Sequence, residues 1–526
     1  MGHGVLRALA ILAVAAVVAA LPQSLSVSAQ GRGNILTVAL HTWPSTFDPA
    51  IGVGGPHYRV FVNIYEGLLA YERGSVKLLP ALAQSWSASS DLTTYTFKLR
   101  PRVKFHDGTT LDAEAVKWSF DRVRKLNMGP ATLLDKVRDV EVADPMTVRI
   151  HLKQASATFP MGLPKVYVHG KARARDADDG KAWFAVNLNG TGPFKVVQKE
   201  KDQFIVMQRH ADYWGGWPER RLEGVLIRIV PDGGTQKLML QRGELDMANL
   251  FSVAMDEHPD SLARKPGIKV VKSPAFRTFI YPMNVQKANS PFRDKRVRKA
   301  AALGFNYEGM REVFFGAAAI PNGFLPPGFT AHDPRRPRFV RDLAAARRLL
   351  AEAGHSRGFE IEAIVREEEE QGRKLGLILQ ASLAEVGIKV NIVYAPPQGI
   401  MFARIAKLET APPLGSHLLM SPVTADAGTY LRQVFGSGVA GKPYNHAWYQ
   451  TPEVDRLLAE AEATGDAQKR ISLWRRAENI IIDDQPVIFT SFVTPIVEPV
   501  RERVMDYMYH PLDYSGVFGF YRVYVR

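Results

Sequence analysis

Residues Tyr65–Val123 read YEGLLAYERGSVKLLPALAQSWSASSDLTTYTFKLRPRVKFHDGTTLDAEAVKWSFDRV. Tyr95, Phe97 and Leu99 alternate with Thr94, Thr96 and Lys98, and Val103 and Phe105 continue the beat beyond Pro101. A period of two predicts a half-buried hairpin. Between its apolar-aromatic entry and this ribbon the stretch predicts a Pro-capped helical turn. His106-Asp107-Gly108 reads as a tight turn, and Asp112 as the cap of a helix that places Val116, Phe120 and Val123 toward a core. Nothing in the stretch is arranged for catalysis.

Outward from it, the chain alternates strands and helices. Ile35–Leu40 reads as a strand, followed by a turn at Trp43–Pro49 with two exposed-type aromatics, the kind of strand end where open α/β sheets hold ligands. Strands are predicted at Thr147–Leu152, Phe194–Lys199, Phe204–Arg209, Val225–Val230 and Glu244–Ala248, with a helix at Asp232–Arg242. Farther on, Phe359–Val365, Arg373–Val386 and Lys389–Tyr394 form a β-α-β pattern, which demands a parallel sheet. Helices follow at Pro452–Ala463, capped by Thr451, and at Asp466–Asp483, before a last β run at Pro486–Val493.

Several motifs recur in a fixed order along this frame: YEGLL, LPALAQSW, TYTFKLRPRVKFHDG and AEAVKWSF, then GTGPF at Gly190–Phe194, HADYWGG at His210–Gly216, QRGELDMA at Gln241–Ala248 and SPFRDKRVRKAAALGFNYEGM at Ser290–Met310. RDLAAARRLLAEAG at Arg341–Gly354, SLAEVGIKV at Ser382–Val390 and YQTPEVDRLLAEA at Tyr449–Ala461 complete the series. In these residues the chain resembles family 5 of the bacterial extracellular solute-binding proteins, the dipeptide, oligopeptide and nickel-binding group that serves ABC importers. The resemblance implies an α/β, two-lobed periplasmic binding protein fold of class II, in three parts. One lobe would gather residues 30–67, 188–270 and 487–526, an inserted domain would span 68–187, and a second lobe 271–486. The chain would cross between lobes near Pro274–Phe279 and Asp484–Val487, and closure about such hinges over one solute is the implied mechanism.

Composition agrees with an exported globular protein. The 526 residues exceed what one core supports, and 46% hydrophobic with 23% charged residues is ordinary for folded domains. Residues 1–29 read as a secretory signal: Arg7, the apolar run Ala8–Leu21, the breaker Pro22, and Val27-Ser28-Ala29 before a mature start at Gln30. The run has fourteen residues, short of the roughly 20 that span a bilayer. With no cysteine there is no disulfide, no cysteine-ligated zinc and no lipidated cysteine, so the expected product is free in the periplasm rather than tethered to the membrane, and a monomer is expected. The net charge of +14 is scattered, as in Arg220-Arg221, Lys295–Lys299, Arg335-Arg336 and Arg347-Arg348, which argues against nucleic acid and for anionic solutes or surfaces.

No nucleophile elbow, zinc helix, calcium loop or dinucleotide fingerprint is present, so no enzyme, metal or cofactor is implied. Gly436–Lys442 imitates a phosphate loop, but Pro443 replaces the magnesium-binding hydroxyl residue. The aromatics Trp43, Tyr444 and Trp448 are candidate pocket walls, and His446 between them reads as structural. Where peptide-binding relatives carry an acid for the ligand's ammonium, the resemblance places Val423, in Met420-Ser421-Pro422-Val423-Thr424-Ala425-Asp426; Thr424 lies beside it and Asp426 can substitute through a register shift. Counting back fourteen residues from Gln380-Ala381 lands on Arg366, where the dipeptide-binding branch carries an arginine for the ligand carboxylate, beside the acidic run Glu367–Glu370. The pair implies a peptide-like or other small polar or anionic solute with no required free amino terminus. Partners are thus the solute and an inner-membrane permease. A periplasmic hydrolase on a similar scaffold and a sensory or chaperone-like module are the rival readings.

Overall fold

The computed structural model describes residues 33–171, 178–248, 259–314, 318–366, 370–395, 403–442, 444–493, 496–512 and 519–526; the expected signal segment lies outside them. The first sheet sets Ile35–Leu40 parallel to Gly224–Ile229, and continues antiparallel through Phe204–Arg209 to Phe194–Glu200. Leu36, Val38, Ile205, Met207, Val225 and Ile227 face its core. Alternate side chains of each strand point there because the pleat repeats every two residues.

A second sheet, in the order Ala83–Ala88, Thr94–Leu99, Thr147–Leu152 and Val137–Asp144, is antiparallel throughout. Tyr95, Phe97 and Leu99 are buried as their alternation predicts, and the helix Ala113–Leu126 lays Val116, Phe120 and Val123 on them. Asp112 caps that helix through Ala115 N at 2.8 Å. Two expectations are corrected. The partner of Thr94–Leu99 is Ala83–Ala88, not the Val103–Phe105 segment, whose Val103 and Phe105 are buried outside any strand of the sheet. The expected helical turn is instead the strand Leu78–Pro80, held extended by its ladder with Leu69–Tyr71, and the start of Ala83–Ala88, held by its ladder with Thr94–Leu99.

The third region is built on Arg277–Pro282, flanked antiparallel by Val487–Val493 and Leu418–Met420, with Ala318–Ala319 on the outer edge. Beside it, Phe359–Arg366 and Ile388–Ala395 pair in parallel around the helix Glu370–Ala384, the expected β-α-β unit. Helices Pro452–Ala463 and Ala467–Asp484 cover the opposite core through Leu457, Leu458, Trp474 and Ile481. Thr451 precedes the first without a side-chain cap bond, whereas Asp466 caps the second through the Gln468 and Lys469 amides.

Strand pairing locates the chain crossings. Ile268–Ser273 pairs with Ile496–Arg501, and Arg277–Pro282 pairs with Val487–Val493. One crossing therefore falls between Ser273 and Arg277, within the expected region. On the other passage Val487–Val493 is still held between Arg277–Pro282 and Ala318–Ala319, beyond the expected crossing near Asp484–Val487, and Ile496–Arg501 is already paired with Ile268–Ser273.

Candidate ligand site

A chamber of about 280 Å³ is lined by residues of the stretches 58–81 and 164–167, by Pro193 and Tyr213, and by His510, Leu512, Gly519 and Tyr521 near the C-terminus. Rings of Tyr58, Tyr65, Tyr71, Tyr167, Tyr213 and Tyr521 line it, with Lys165 and His510 among its other lining residues. Tyr58 belongs to the helix Gly55–Ile64, whose Val60, Phe61 and Ile64 anchor in the first-lobe core. Tyr71 ends the short strand Leu69–Tyr71, and its ring lies 5.6 Å from that of His510. Lys165 donates to Leu512 O at 3.1 Å and stands 5.4 Å above the Tyr58 ring.

Glu66 is the acid of the chamber, and its carboxylate is fully engaged. Oε1 accepts from the Tyr213 hydroxyl at 2.8 Å, and Oε2 accepts from Thr191 Oγ1 at 2.7 Å and Trp214 Nε1 at 2.8 Å. Burial raises its pKa above the usual carboxylate range, against the opposing pull of those three donors. Burial likewise drives the Tyr71 and Tyr213 phenols far above their ordinary pKa, so both stay protonated as donors. The Tyr521 hydroxyl donates to the Gly215 and Gly216 carbonyls. With these tyrosine hydroxyls and the acid directed at protein partners, the walls offer ring faces and one ammonium. Such walls suit an apolar or aromatic group carrying an anionic or carbonyl oxygen.

The chamber adjoins the second lobe through Tyr71. Its hydroxyl donates to Met161 O and accepts from Ala425 N at 3.1 Å. Ala425 lies within the loop that carries three of the sequence-derived candidates. Val423 is 37% exposed, Thr424 is buried with its Oγ1 accepting from Asp426 N, and Asp426 is buried. The Asp426 carboxylate takes the Gly428 and Thr429 amides and the Thr429 hydroxyl, so it works as the N-cap of the helix Ala427–Phe435. An ammonium there would compete with three bonds already made.

The other candidates lie apart from the chamber. Arg366 ends the strand Phe359–Arg366, backbone-paired with Ala395, at the carboxyl end of a parallel pair where ligands commonly sit; Glu367–Glu369 lie outside the described residues. Trp43 is half-buried and packs edge-on against Phe47 at 5.4 Å; Phe47, expected to be exposed, is 2% accessible and part of the core. Tyr444 is exposed, His446 is buried, and Trp448 donates to Ile405 O at 3.3 Å with its ring against Gly441. The glycine segment preceding Tyr444 is a short 3-10 turn at Ser437–Val439. Tyr71, Lys165, Glu66 and His510 were not singled out by sequence. The available signal for Glu66 was a lone acid between Tyr65 and Gly67-Leu68-Leu69, since an acid inside an apolar run is buried only when bonded. Among the described residues no cluster of three metal-ligating side chains occurs, and no helix is long and apolar enough to cross a membrane.

Several α/β sheets and a tyrosine-lined pocket beside the first of them are the frame in which the comparisons can be read. The family model "Bacterial extracellular solute-binding proteins, family 5 Middle" matches residues 77–441, and the chain belongs to that family. It is 27% identical to the "Probable D,D-dipeptide-binding periplasmic protein" of Escherichia coli (strain K12), over 91% of this chain and 92% of that one. It is 30% identical to the glutathione-binding protein of the same strain, over 86% and 88%. Among solved structures, the ABC transporter-associated periplasmic binding protein of Helicobacter pylori in complex with the peptide STSA superposes with a TM-score of 0.80 at 26% identity, covering 94% of this chain and 98% of that one. The family consists of substrate-binding proteins rather than enzymes.

Proposed function

We propose that this protein is the periplasmic receptor of an ABC importer, capturing a peptide-like or other small polar or anionic solute between its lobes and passing it unchanged to the permease. The observation that carries the reading is the Tyr71 hydroxyl bond to Ala425 N, which joins a tyrosine-lined chamber on one lobe to a loop of the other. Family membership supports the transport role, as do relatives named for dipeptides and glutathione. In this reading Arg366, which stands apart from the chamber on the second lobe, is the family-implied contact for an anionic group that reaches across the cleft, and Val423, where an acid would hold an ammonium, leaves the amino terminus of a peptide unrequired. Signal cleavage before Gln30 would release the chain into the periplasm without a lipid anchor.

The test is native mass spectrometry of the protein released by osmotic shock. The expected spectrum shows a mature chain beginning at Gln30 with one bound small molecule, recovered chemically intact after prolonged incubation. A hydrolase would instead return cleaved product. A chain retaining Met1 in the membrane fraction would remove the periplasmic assignment.

A further inference from the structure

Glu462 closes the helix Pro452–Ala463 of the second lobe, yet most of its partners belong to the inserted domain. Its carboxylate accepts from Ser156 Oγ at 2.9 Å and pairs with the Lys136 ammonium, while its backbone carbonyl accepts from Ala157 N at 2.9 Å. The residue is 6% exposed. Ser156 is itself fixed, because its amide donates to Leu92 O and its carbonyl accepts from the Tyr95 hydroxyl at 2.7 Å. Tyr71, Val76 and Met161 of the inserted domain also pack against the second-lobe core.

The two strand crossings join the second lobe to the sheet formed by Ile268–Ser273 and Ile496–Arg501, not to the inserted domain. Rotation about the crossings must therefore make or break the Glu462 contacts. From these facts we infer that Glu462 with Lys136, Ser156 and Ala157 is a reversible latch that holds the lobes closed. Reversibility comes from Arg432, on the second lobe with Glu462, which donates to the same carboxylate at 3.1 Å. When the seam parts, Glu462 keeps this partner, and Lys136 and Ser156 are returned to water. No buried charge is orphaned in either state, so the cost of opening stays moderate.

The inference rests on the lobe closure of the proposed function but is read without any solute. The chain has no cysteine, so S90C and K469C place nitroxide labels only at those two positions. Both residues border one crevice across the seam and are exposed. In the ligand-free protein, pulsed electron resonance is expected to give a short-distance population that both Glu462→Gln and Lys136→Met shift to longer distances. The closed-to-open ratio should fall roughly tenfold, the scale of one hydrogen bond to a charged group. Lys136→Met acts from the inserted-domain side and keeps the test open if Glu462→Gln folds poorly. Distance distributions identical to the parent in both folded variants would overturn the latch. A protein that latches but returns no bound solute by mass spectrometry would instead overturn the receptor reading alone.

Discussion

Arg122 lays its guanidinium on the Asp48 carboxylate through two bonds, 2.7 Å from Nη1 to Oδ1 and 2.5 Å from Nη2 to Oδ2, with both side chains almost wholly withdrawn from water. Asp48 belongs to the turn after the first strand and Arg122 to the inserted-domain helix, so this pair ties the two units at their root. Its bidentate geometry, and the Ala50 amide also bound to Asp48 Oδ1, offset the desolvation of both charges. Asp48→Asn or Arg122→Met should each lower stability by about 3–5 kcal/mol, because each leaves the other charge buried and alone. The double variant should lose clearly less than the sum of the two, and urea midpoints of the three proteins check it.

Stability should also fall steeply in mild acid. Burial pushes His106 and His169 down to about 4, and the Arg122 guanidinium adds to the effect at His169. Unfolded, each ring takes a proton near its ordinary 6.5. Between these values the unfolded chain holds more protons than the folded one, so stability present above pH 6.5 is lost as pH falls toward about 4. Each histidine contributes up to about 3 kcal/mol to that loss. His169→Asn should flatten the dependence, as read from urea midpoints near pH 7 and about pH 4.5.

Arg366 and Val423 test the charge of the solute. With the solute that co-purifies, Arg366→Ala should cost about 2–5 kcal/mol of affinity, the penalty for orphaning a buried hydrogen-bonded charge. Val423→Asp should weaken the same solute by adding a carboxylate beside the site. Titration calorimetry decides, and parent-like affinity in Arg366→Ala would assign that arginine to surface pairing worth about 0–1 kcal/mol.

Tyr71→Phe removes only an oxygen, but that oxygen serves Met161 O on one side and Ala425 N on the other. The variant should lose about 1–3 kcal/mol of solute affinity, the cost of leaving a backbone amide without its partner in the closed form. Circular dichroism should be unchanged, and calorimetry with the co-purified solute gives the loss.

Much of the frame was legible because periodicity is local. Tyr95, Phe97 and Leu99 announce a strand by alternation, and Asp112, Asp232 and Asp466 announce helices whose amides they cap. Ala83–Ala88 was missed because its side chains are mostly exposed, so no alternation marks it. The site was less legible. Its key bond joins residues 354 positions apart, and no spacing rule reaches that far. The loop at Val423–Asp426 was found through family likeness, but its role at the seam depends on Tyr71, which the sequence presents only as one more aromatic in an apolar run.

The pairing Ser273↔Ile496 and the pairing Arg277↔Val493 belong to the same two antiparallel chain passages, interrupted for a few residues. On the proposed division into lobes, the same pair of antiparallel passages is therefore the joint between the halves, paired on either side of it. A two-stranded ribbon bends across its face far more readily than within its plane, so the proposed closure would be a single swing rather than a slide. A single distance measured across the molecule is then a sufficient gauge of how far the swing has gone, and the cysteine-free chain leaves every position available for attaching the two ends of that gauge.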